Sequence, residues 1–480
     1  MTATPAPAPA PPSRLETLAA RVASVEAAVR EIASRRPPSG AGDLGLSATE
    51  RVARIIDPDG PWLEIGALRG HDRESGAGPG AGIVTGIGTV GGRPVMLAVS
   101  IPVADGLWHS DTVAKLLRAQ EIALRQRIPI VHLLAGGASA NEVEDGWFPG
   151  HYGPSRALAL ASAIRRIGIP QLAVAMGPLQ GAAALLTELA GDPVPAGPTA
   201  LTTVRERLLA LAPVARVSPA AHPPRPALPA ERLAEILPAD HRRSYDMMAL
   251  LGGLLDGGEL TELQPRNAPE MICGHGAIEG MPVAVIANRR GVVPAPSGPP
   301  RLGGIIYTGS AAKVAFFIET ASRQGLPILF VQDVSGFMLG VDAEHSGIIR
   351  AGADLVEAMA TAKTGRIALT INHASGAGYY AMASQGFEPD FTLTWPTGRI
   401  GAMEAESAIT AAHGTALAKL GGEAAAPPEL KASIAAMRRT FERDLEATHA
   451  AARGHVDAIV TPANTRPTLA FLLRVTARTR

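Results

Sequence analysis

The chain is 480 residues long, 46% hydrophobic and 18% charged, which is enough apolar material for more than one core. Its 44 Lys and Arg residues balance 44 Asp and Glu, so no net positive field draws it to nucleic acid or to an anionic membrane. The one cysteine, Cys273, excludes an intramolecular disulfide framework and a multi-cysteine zinc site, and suits a reducing, cytoplasmic setting.

Residues 1–12 are a Pro/Ala run and are expected to be disordered, neither a secretory signal nor a folded element. Leu15, Leu18, Val22, Val25, Val29 and Ile32 then fall at spacings of 3, 4, 3, 4, 3, the seam of a coiled coil. This N-terminal coiled-coil-like helix, within 14–36, has two uses open to it: a partner or self-association helix, or a surface helix packing on its own domain. Pro37 to Asp43 reads as a linker.

From there strands alternate with helices. The pattern predicts a helix over 113–125, a strand over 128–134, a helix over 156–167 and a strand over 172–176, an order that implies crossover connections and largely parallel strands. Ile169 to Ala190 is the most apolar stretch, but Pro170, Gln171, Pro178, Gln180 and Glu188 break it, so a buried strand plus helix is expected rather than a membrane span. Gly191 to Asp240 is proline-rich, and Ala220 to Pro226 marks a domain boundary by composition. A charged helix over 429–453 is expected to close the chain.

The chain also repeats itself about 195 residues on, a period too long for a solenoid and therefore the mark of two similar domains. Gly86–Val95 is answered by Gly274–Val283, Arg127–Ile130 by Gly325–Ile328, Ala135–Ala138 by Val334–Phe337, and Gly168–Gly181 by Gly365–Gly376. The expected division is 1–40 tail and helix, 41–240 first domain and 241–480 second domain.

Two motifs mislead. Gly86-x-Gly88-x-x-Gly91 spells a dinucleotide fingerprint, yet Arg93-Pro-Val-Met-Leu-Ala-Val follows as a second strand rather than the helix that a pyrophosphate needs, so a hairpin is expected. Ser310-Ala-Ala-Lys313 matches the Ser-x-x-Lys of serine acylases without its companion motifs, and reads as a helix start capped by Ser310. No zinc-protease, Walker or clustered His/Cys pattern occurs, so no metal is expected. Glu142, Glu144 and Asp145 beside Gly136-Gly137 are candidate carboxylates for a hydrolase or isomerase, set against a solvated acidic loop.

Four strand-to-glycine turns carry the chemistry: Leu133–Ala138, Met176–Ala183, Asp333–Phe337 and His373–Gly378. Small residues where a strand gives way to a helix leave backbone N–H groups free to converge on a developing negative oxygen. Glycine there also serves a tight turn or close packing. Recurrence at matching places in both halves favours the oxyanion reading.

The stretches Leu117–Ala123, Val334–Gly340, Ser346–Ala353, Ser375–Tyr380 and Thr394–Ile400 resemble the carboxyltransferase (beta) subunits of biotin-dependent acyl-CoA carboxylases, nearest the methylcrotonyl-CoA and geranyl-CoA branch. Gly303–Tyr307 is also similar to the carboxyltransferase of glutaconyl-CoA decarboxylase. The resemblance covers about Ser47 to Ala412 and implies an α/β chain of tandem duplicated crotonase-like (ClpP/crotonase) domains, each a ββα superhelix, in a homo-oligomer that is commonly a hexamer. It implies that the first domain holds acyl-CoA and the second biotin, with the site between domains of different subunits. On that analogy Gly181 and Ala182 stabilise the thioester enolate, Ala377 and Gly378 hold the biotin ureido oxygen, and Gly136, Gly137, Gly336, Phe337 and Gly376 complete the binding turns. Biotin would arrive on a separate carrier subunit charged by a biotin carboxylase, since neither a biotinylation motif nor an ATP-grasp pattern occurs. Departures from the family are Gly181-Ala182 for Gly-Gly, Glu404 for a glycine, and a short segment after Leu185, as though a strand and turn had been deleted. A decarboxylase or transcarboxylase component, and a catalytically eroded subunit pairing with an intact homologue, remain open beside the carboxylase reading. The acyl substrate and the CoA-phosphate ligands are unassigned, with Arg118, Arg125, Arg127, Arg165 and Arg166 equivalent at this level.

Overall fold

The computed structural model describes residues 14–35, 45–71, 79–101, 106–139, 150–212, 217–238, 240–295 and 298–476. The Pro/Ala tail, the linker at 37–43 and the acidic loop holding Glu142, Glu144 and Asp145 lie outside these residues. Leaving aside short helical turns and the two-residue strands outside the two main sheets, the first half runs α1 (Arg14–Arg35), α2 (Ala48–Ile55), β1 (Leu63–Ile65), β2 (Ile83–Val90), β3 (Arg93–Ser100), α3 (Ser110–Gln126), β4 (Ile130–Gly136), α4 (Pro154–Arg166), β5 (Gln171–Leu179), α5 (Gly181–Ala190), β6 (Asp192–Val194) and α6 (Ala200–Ala210). The second half runs α7 (Met247–Leu254), β7 (Thr261–Glu262), β8 (Met271–Ile278), β9 (Met281–Asn288), α8 (Thr308–Gln324), β10 (Ile328–Val334), α9 (Ile348–Thr361), β11 (Arg366–Ser375), α10 (Gly376–Ala381), β12 (Phe391–Thr394), β13 (Arg399–Gly401), α11 (Ala405–Leu420), α12 (Pro428–Asp444), α13 (Ala447–Ala452), β14 (Ala458–Ile459) and α14 (Pro462–Thr476).

The repeat in the sequence becomes a repeat of topology. One sheet has the order β1-β2-β3-β4-β5-β6, and the other β7-β8-β9-β10-β11-β12-β14 with β13 also on β11. Each begins with antiparallel strands and continues parallel, because a hairpin joins the first long pair while helices make the later crossovers. The misleading glycine motif is that hairpin. Gly91 and Gly92 both sit at positive φ, and their N–H groups donate to the Asp57 carboxylate at 2.9 Å. Burial opposes the Asp57 charge, but these bonds and Arg205 hold its carboxyl down at about 2.

The likeness extends to a defect. β4 and β5 pair in register from Ile130–Gln171 to Leu134–Ala175 and then skip to Gly136–Leu179. β10 and β11 pair from Ile328–Arg366 to Gln332–Thr370 and skip to Val334–Ala374. In each half the later strand carries the same extra length just before its glycine turn, Met176-Gly177-Pro178 against Ile371-Asn372-His373. Bulges of this kind re-aim the chain at the end of a strand.

Several expectations need correction. The segment after Leu185 has not lost its strand: β6 pairs with β5 from Leu172–Asp192 to Val174–Val194, as β12 pairs with β11. Among the described residues the first sheet lacks counterparts of β13 and β14, so its shortening lies at the end beyond β5 and β6. The proline-rich region is not a bare boundary either, since Val194, Ala200, Leu201, Val204 and Leu208 are buried in the first core. Beyond it, Ala220 N–H donates to Gly280 O (3.1 Å) and Ala227 N–H to Gly252 O (2.9 Å), so residues from 217 onward already pack with the second half, ahead of the expected boundary at 240. The charged closing helix is two helices, α12 and α13, and α14 is the last described element. Ser310 is not the cap of α8. The helix starts after Tyr307, and the Ser310 hydroxyl accepts from Tyr307 N–H (2.6 Å) one turn in. Lys313 is spent on the carbonyls of Asn267 and Met271 at 3.0 and 2.8 Å.

The seam of α1 is used within the chain. Leu18, Val25, Ala28 and Ile32 are buried while Val29 is 43% exposed, so the covered face follows the 3.6-residue period of a helix on a globular surface. Ala28 and Ile32 join Leu68 in a core cluster of the second half, which favours the surface helix of the two uses open to α1. The largest core cluster draws Ile65, Met96 and Ile130 from one half and Leu254, Val283 and Leu369 from the other. Cys273 lies in the other cluster, with Ala28, Ile32 and Leu68, and burial pushes its thiol up to about 12. Because the thiolate is the reactive species, Cys273 is expected to stay silent to Ellman's reagent in the native chain and to react after denaturation. Fast native labelling would contradict that burial.

Candidate active site at two strand-to-helix turns

The bulge in each half throws one strand end across its neighbour, and a glycine there starts a helix. In the first half Gln180 N–H donates to Gly136 O (2.8 Å) and Gly137 N–H to Gly106 O (3.0 Å). Gly181 then opens α5 at φ +48°. A Cβ on Gly181 would lie 3.0 Å from Gly137 O, and one on Gly137 would collide with the Ala183 side chain. The Gly137 amide is thus committed within the turn, and the amides of Gly181 and Ala182 stand at a helix start that no side chain caps. First-turn amides have no acceptor inside their own helix.

The second half repeats this arrangement. Gly376 opens α10 at φ +54°, again without a side-chain cap. Gly378 is packed so closely on the neighbouring strand end that a Cβ would lie 2.8 Å from Gly336 N, whereas nothing stands within 4 Å of the equivalent direction at Gly336. Phe337 is half-buried, its ring against Gly352. The residues expected from sequence therefore gather in two sets: Gly136, Gly137, Gly181 and Ala182 in one half, Gly336, Phe337, Gly376, Ala377 and Gly378 in the other.

Sequence reasoning missed a polar cluster beside the second set. Asp333, fully buried, accepts from the Tyr245 hydroxyl (2.6 Å) and from Asn372 Nδ2 (3.1 Å), and pairs with Arg290 (3.2 Å). Burial pushes the Asp333 carboxyl up against the pull of Arg290, and burial with the neighbouring Asp333 raises the Tyr245 hydroxyl well above its usual value. Next to it, His373 Nδ1 lies 3.3 Å from Ser335 Oγ, and His373 Nε2 lies 2.9 Å from Glu404 Oε1. Glu404 Oε2 accepts from Arg399 Nη2 (2.8 Å), and Arg399 also pairs with Glu442 (3.0 Å). Burial opposes the Glu404 charge, yet the close approach of His373 and the bonds from Arg399 outweigh it and hold this carboxyl far below the usual range. One signal was legible in advance, a glutamate where the resemblance called for glycine.

The arginines left equivalent by sequence now separate. Arg118 reaches across to Asp457 (2.7 and 2.8 Å) and the Asp390 carbonyl (3.0 Å), and Arg125 pairs with Glu388 (2.8 Å). Both tie the halves together and are not free for a phosphate. An open cleft of about 790 Å³ lies beside Tyr245, lined by Arg266, Arg289 and Arg290. Among the described residues no group of three His, Cys, Asp or Glu could hold a metal, and no helix is long and apolar enough to cross a membrane.

Comparison with known proteins agrees with this architecture. A carboxyl transferase domain model matches residues 45–193 and 198–480. The biotin-dependent 3-methylcrotonyl-coenzyme A carboxylase beta1 subunit of Mycobacterium tuberculosis is 29% identical over 483 residues, covering 90% of this chain and 88% of that one. The mitochondrial methylcrotonoyl-CoA carboxylase beta chain of Arabidopsis thaliana is 29% identical over 485 residues, covering 89% and 80%. The crystal structure of the Pseudomonas aeruginosa geranyl-CoA carboxylase beta subunit superimposes with a TM-score of 0.81 at 25% identity, covering 97% of this chain and 95% of that one. The duplicated sheets are thus crotonase-like folds. With two matching glycine turns on that duplicated fold and a family model spanning nearly its whole length, the chain belongs to the carboxyl transferase domain family, among the beta subunits of acyl-CoA carboxylases.

Proposed function

We propose that the chain moves a carboxyl group from carboxybiotin to the α-carbon of an acyl-CoA, using one backbone oxyanion hole in each half. The observation that carries this reading is the paired geometry itself: two uncapped helix starts, each opened by a left-handed glycine behind the same strand bulge. Gly181 and Ala182 N–H groups hold the thioester oxygen as the enolate forms, with Gly136 and Gly137 shaping the floor of that turn. Ala377 and Gly378 N–H groups hold the ureido oxygen, with Gly336, Phe337 and Gly376 as its walls. Biotin fits here in one respect that matters: Gly336 leaves open space where a side chain would stand. When bound, carboxybiotin supplies the CO2 and, after releasing it, the base for the α-proton. The chain contributes fixed dipoles rather than a side-chain base, and one such donor is worth about 10²–10³ in rate.

We assign acyl-CoA to residues 45–212 and biotin to the chain from 217 onward, with the carrier and biotin carboxylase as other cytoplasmic subunits and a homo-oligomer, by resemblance a hexamer, bringing halves of different copies together. The intact β6 supports a working first half over an eroded one. Co-expression with a biotin carboxylase and biotin carrier should give ATP-dependent carboxylation of at least one member of an acyl-CoA panel. An assembly that binds carrier yet turns over only when a second beta-like chain is added would overturn the catalytic reading.

A further inference from the structure

The two halves share their backbone but not their side chains at the strand ends. Counting from the matched bulges, which shift the sequence match of Ala135–Ala138 with Val334–Phe337 by one residue, Ala135, Gly137, Gly177 and Pro178 of the first half correspond to Asp333, Ser335, Asn372 and His373 of the second. Four small or apolar positions have become polar together, at one place. Among the described residues the second half alone adds β13 and the turn after it, which deliver Arg399 and Glu404 to the same place. An oxyanion hole made of backbone needs none of these groups.

We propose that Ser335, His373 and Glu404 form an acyl-transfer relay that hydrolyses activated esters and thioesters, an activity separate from carboxyl transfer and independent of it. Ser335 is exposed at the end of β10, while His373 beneath it is only 7% exposed. The serine hydroxyl meets His373 Nδ1 at 3.3 Å, and Nε2 on the far side of the ring is 2.9 Å from Glu404, with the ring N–H off-axis from that oxygen. Such contacts are often long or poorly aligned before a substrate binds and tighten with it. One imidazole nitrogen must accept a proton while the other donates, and this ring has a hydroxyl on one and a carboxylate on the other. Arg399 fixes the carboxylate through both guanidinium contacts, Nε at 3.2 Å and Nη2 at 2.8 Å. Gly336, next after the serine, packs backbone to backbone on Gly378, so the serine adjoins the segment that carries the Ala377 and Gly378 amides.

The chemistry balances without a further reagent. Ser335 Oγ attacks the acyl carbon as its proton passes to His373 Nδ1, and the tetrahedral oxyanion rests on backbone amides. The C–S or C–O bond then breaks, the leaving thiol or alcohol takes the proton from His373, and the acyl group remains as a Ser335 ester. Water adds to that ester, gives its proton to His373, and releases the carboxylic acid as Oγ is reprotonated. The net reaction consumes one water per acyl group.

The test uses the purified full chain with no biotin and no ATP. A fluorophosphonate probe should label the chain once, at Ser335 by peptide mass, and p-nitrophenyl acetate and acetyl-CoA should be hydrolysed. Ser335→Ala and His373→Gln should each remove labelling and lower hydrolysis by at least about 100-fold. Glu404 acts through the imidazole as a positioning residue. Glu404→Gln should slow labelling with chain size and circular dichroism unchanged, and Glu404→Asp should recover part of the rate. Absence of labelling in the folded parent chain, or labelling and hydrolysis that survive in Ser335→Ala, overturns the relay. Neither result bears on carboxyl transfer, which is read with carrier and ATP.

Discussion

Gly181→Val is expected to lower carboxyl transfer by at least about 10²-fold while the assembly keeps its size. Two effects act on the same peptide unit. Gly181 sits at φ +48°, where a β-branched residue is a genuine outlier and strain of about 1–3 kcal/mol pushes the backbone toward a right-handed turn. A side chain there also starts 3.0 Å from Gly137 O. Either response turns the Gly181 and Ala182 amides away from the proposed position of the thioester oxygen, and losing one aligned donor costs about 10²–10³ in rate. The rest of α5 has its buried face at Ala183, Leu186, Thr187 and Ala190, which the substitution leaves alone, so gel filtration should be unchanged. The measurement is initial rate with carrier, ATP and the best acyl-CoA of the panel. Activity within about threefold of the parent would mean that the hole has been assigned to the wrong amides.

Arg118→Met is expected to destabilise the chain by about 3–5 kcal/mol, through the joint between halves rather than through the site. Arg118 makes a two-pronged bond to Asp457 and caps the Asp390 carbonyl. Asp457 has only 3% of its side chain exposed. It also accepts from Thr392 N–H, while its own carbonyl accepts from Gly66 N–H of the first half. Removing the guanidinium leaves a buried carboxylate with no cation, which is far worse than removing both charges. Asp457→Asn on top of Arg118→Met should therefore recover at least about 1 kcal/mol, a non-additivity that marks a direct pair. Urea unfolding of the single and double variants reads both values. A single-variant change below about 1 kcal/mol, or strict additivity, would show that the packed core holds the halves together unaided.

These cases separate what is written locally from what is not. The hairpin at Gly91-Gly92 was legible because a second strand follows the glycines, and strand pairing needs only neighbours in sequence. The heptad-like spacing of α1 was legible too, but its use was not: a 3.5-residue seam and the 3.6-residue face of a surface helix coincide over so few turns. Deletion of a strand after Leu185 was read from a missing stretch of sequence, yet a three-residue strand suffices there because the sheet supplies its partner. Ser335, His373 and Glu404 were scattered over some seventy positions and had no motif to join them.

By itself the sequence determined the duplication, the order of strands and helices in each half, and the glycines at the strand ends, because periodicity and glycine's tolerance of positive φ are local properties. Only the tertiary structure decided which amides remain uncommitted, which arginines bind the halves together, and which side chains meet at the second turn. Those depend on register, on a shared bulge and on the extra strand β13 beside β11, and each brings together groups that the chain holds far apart.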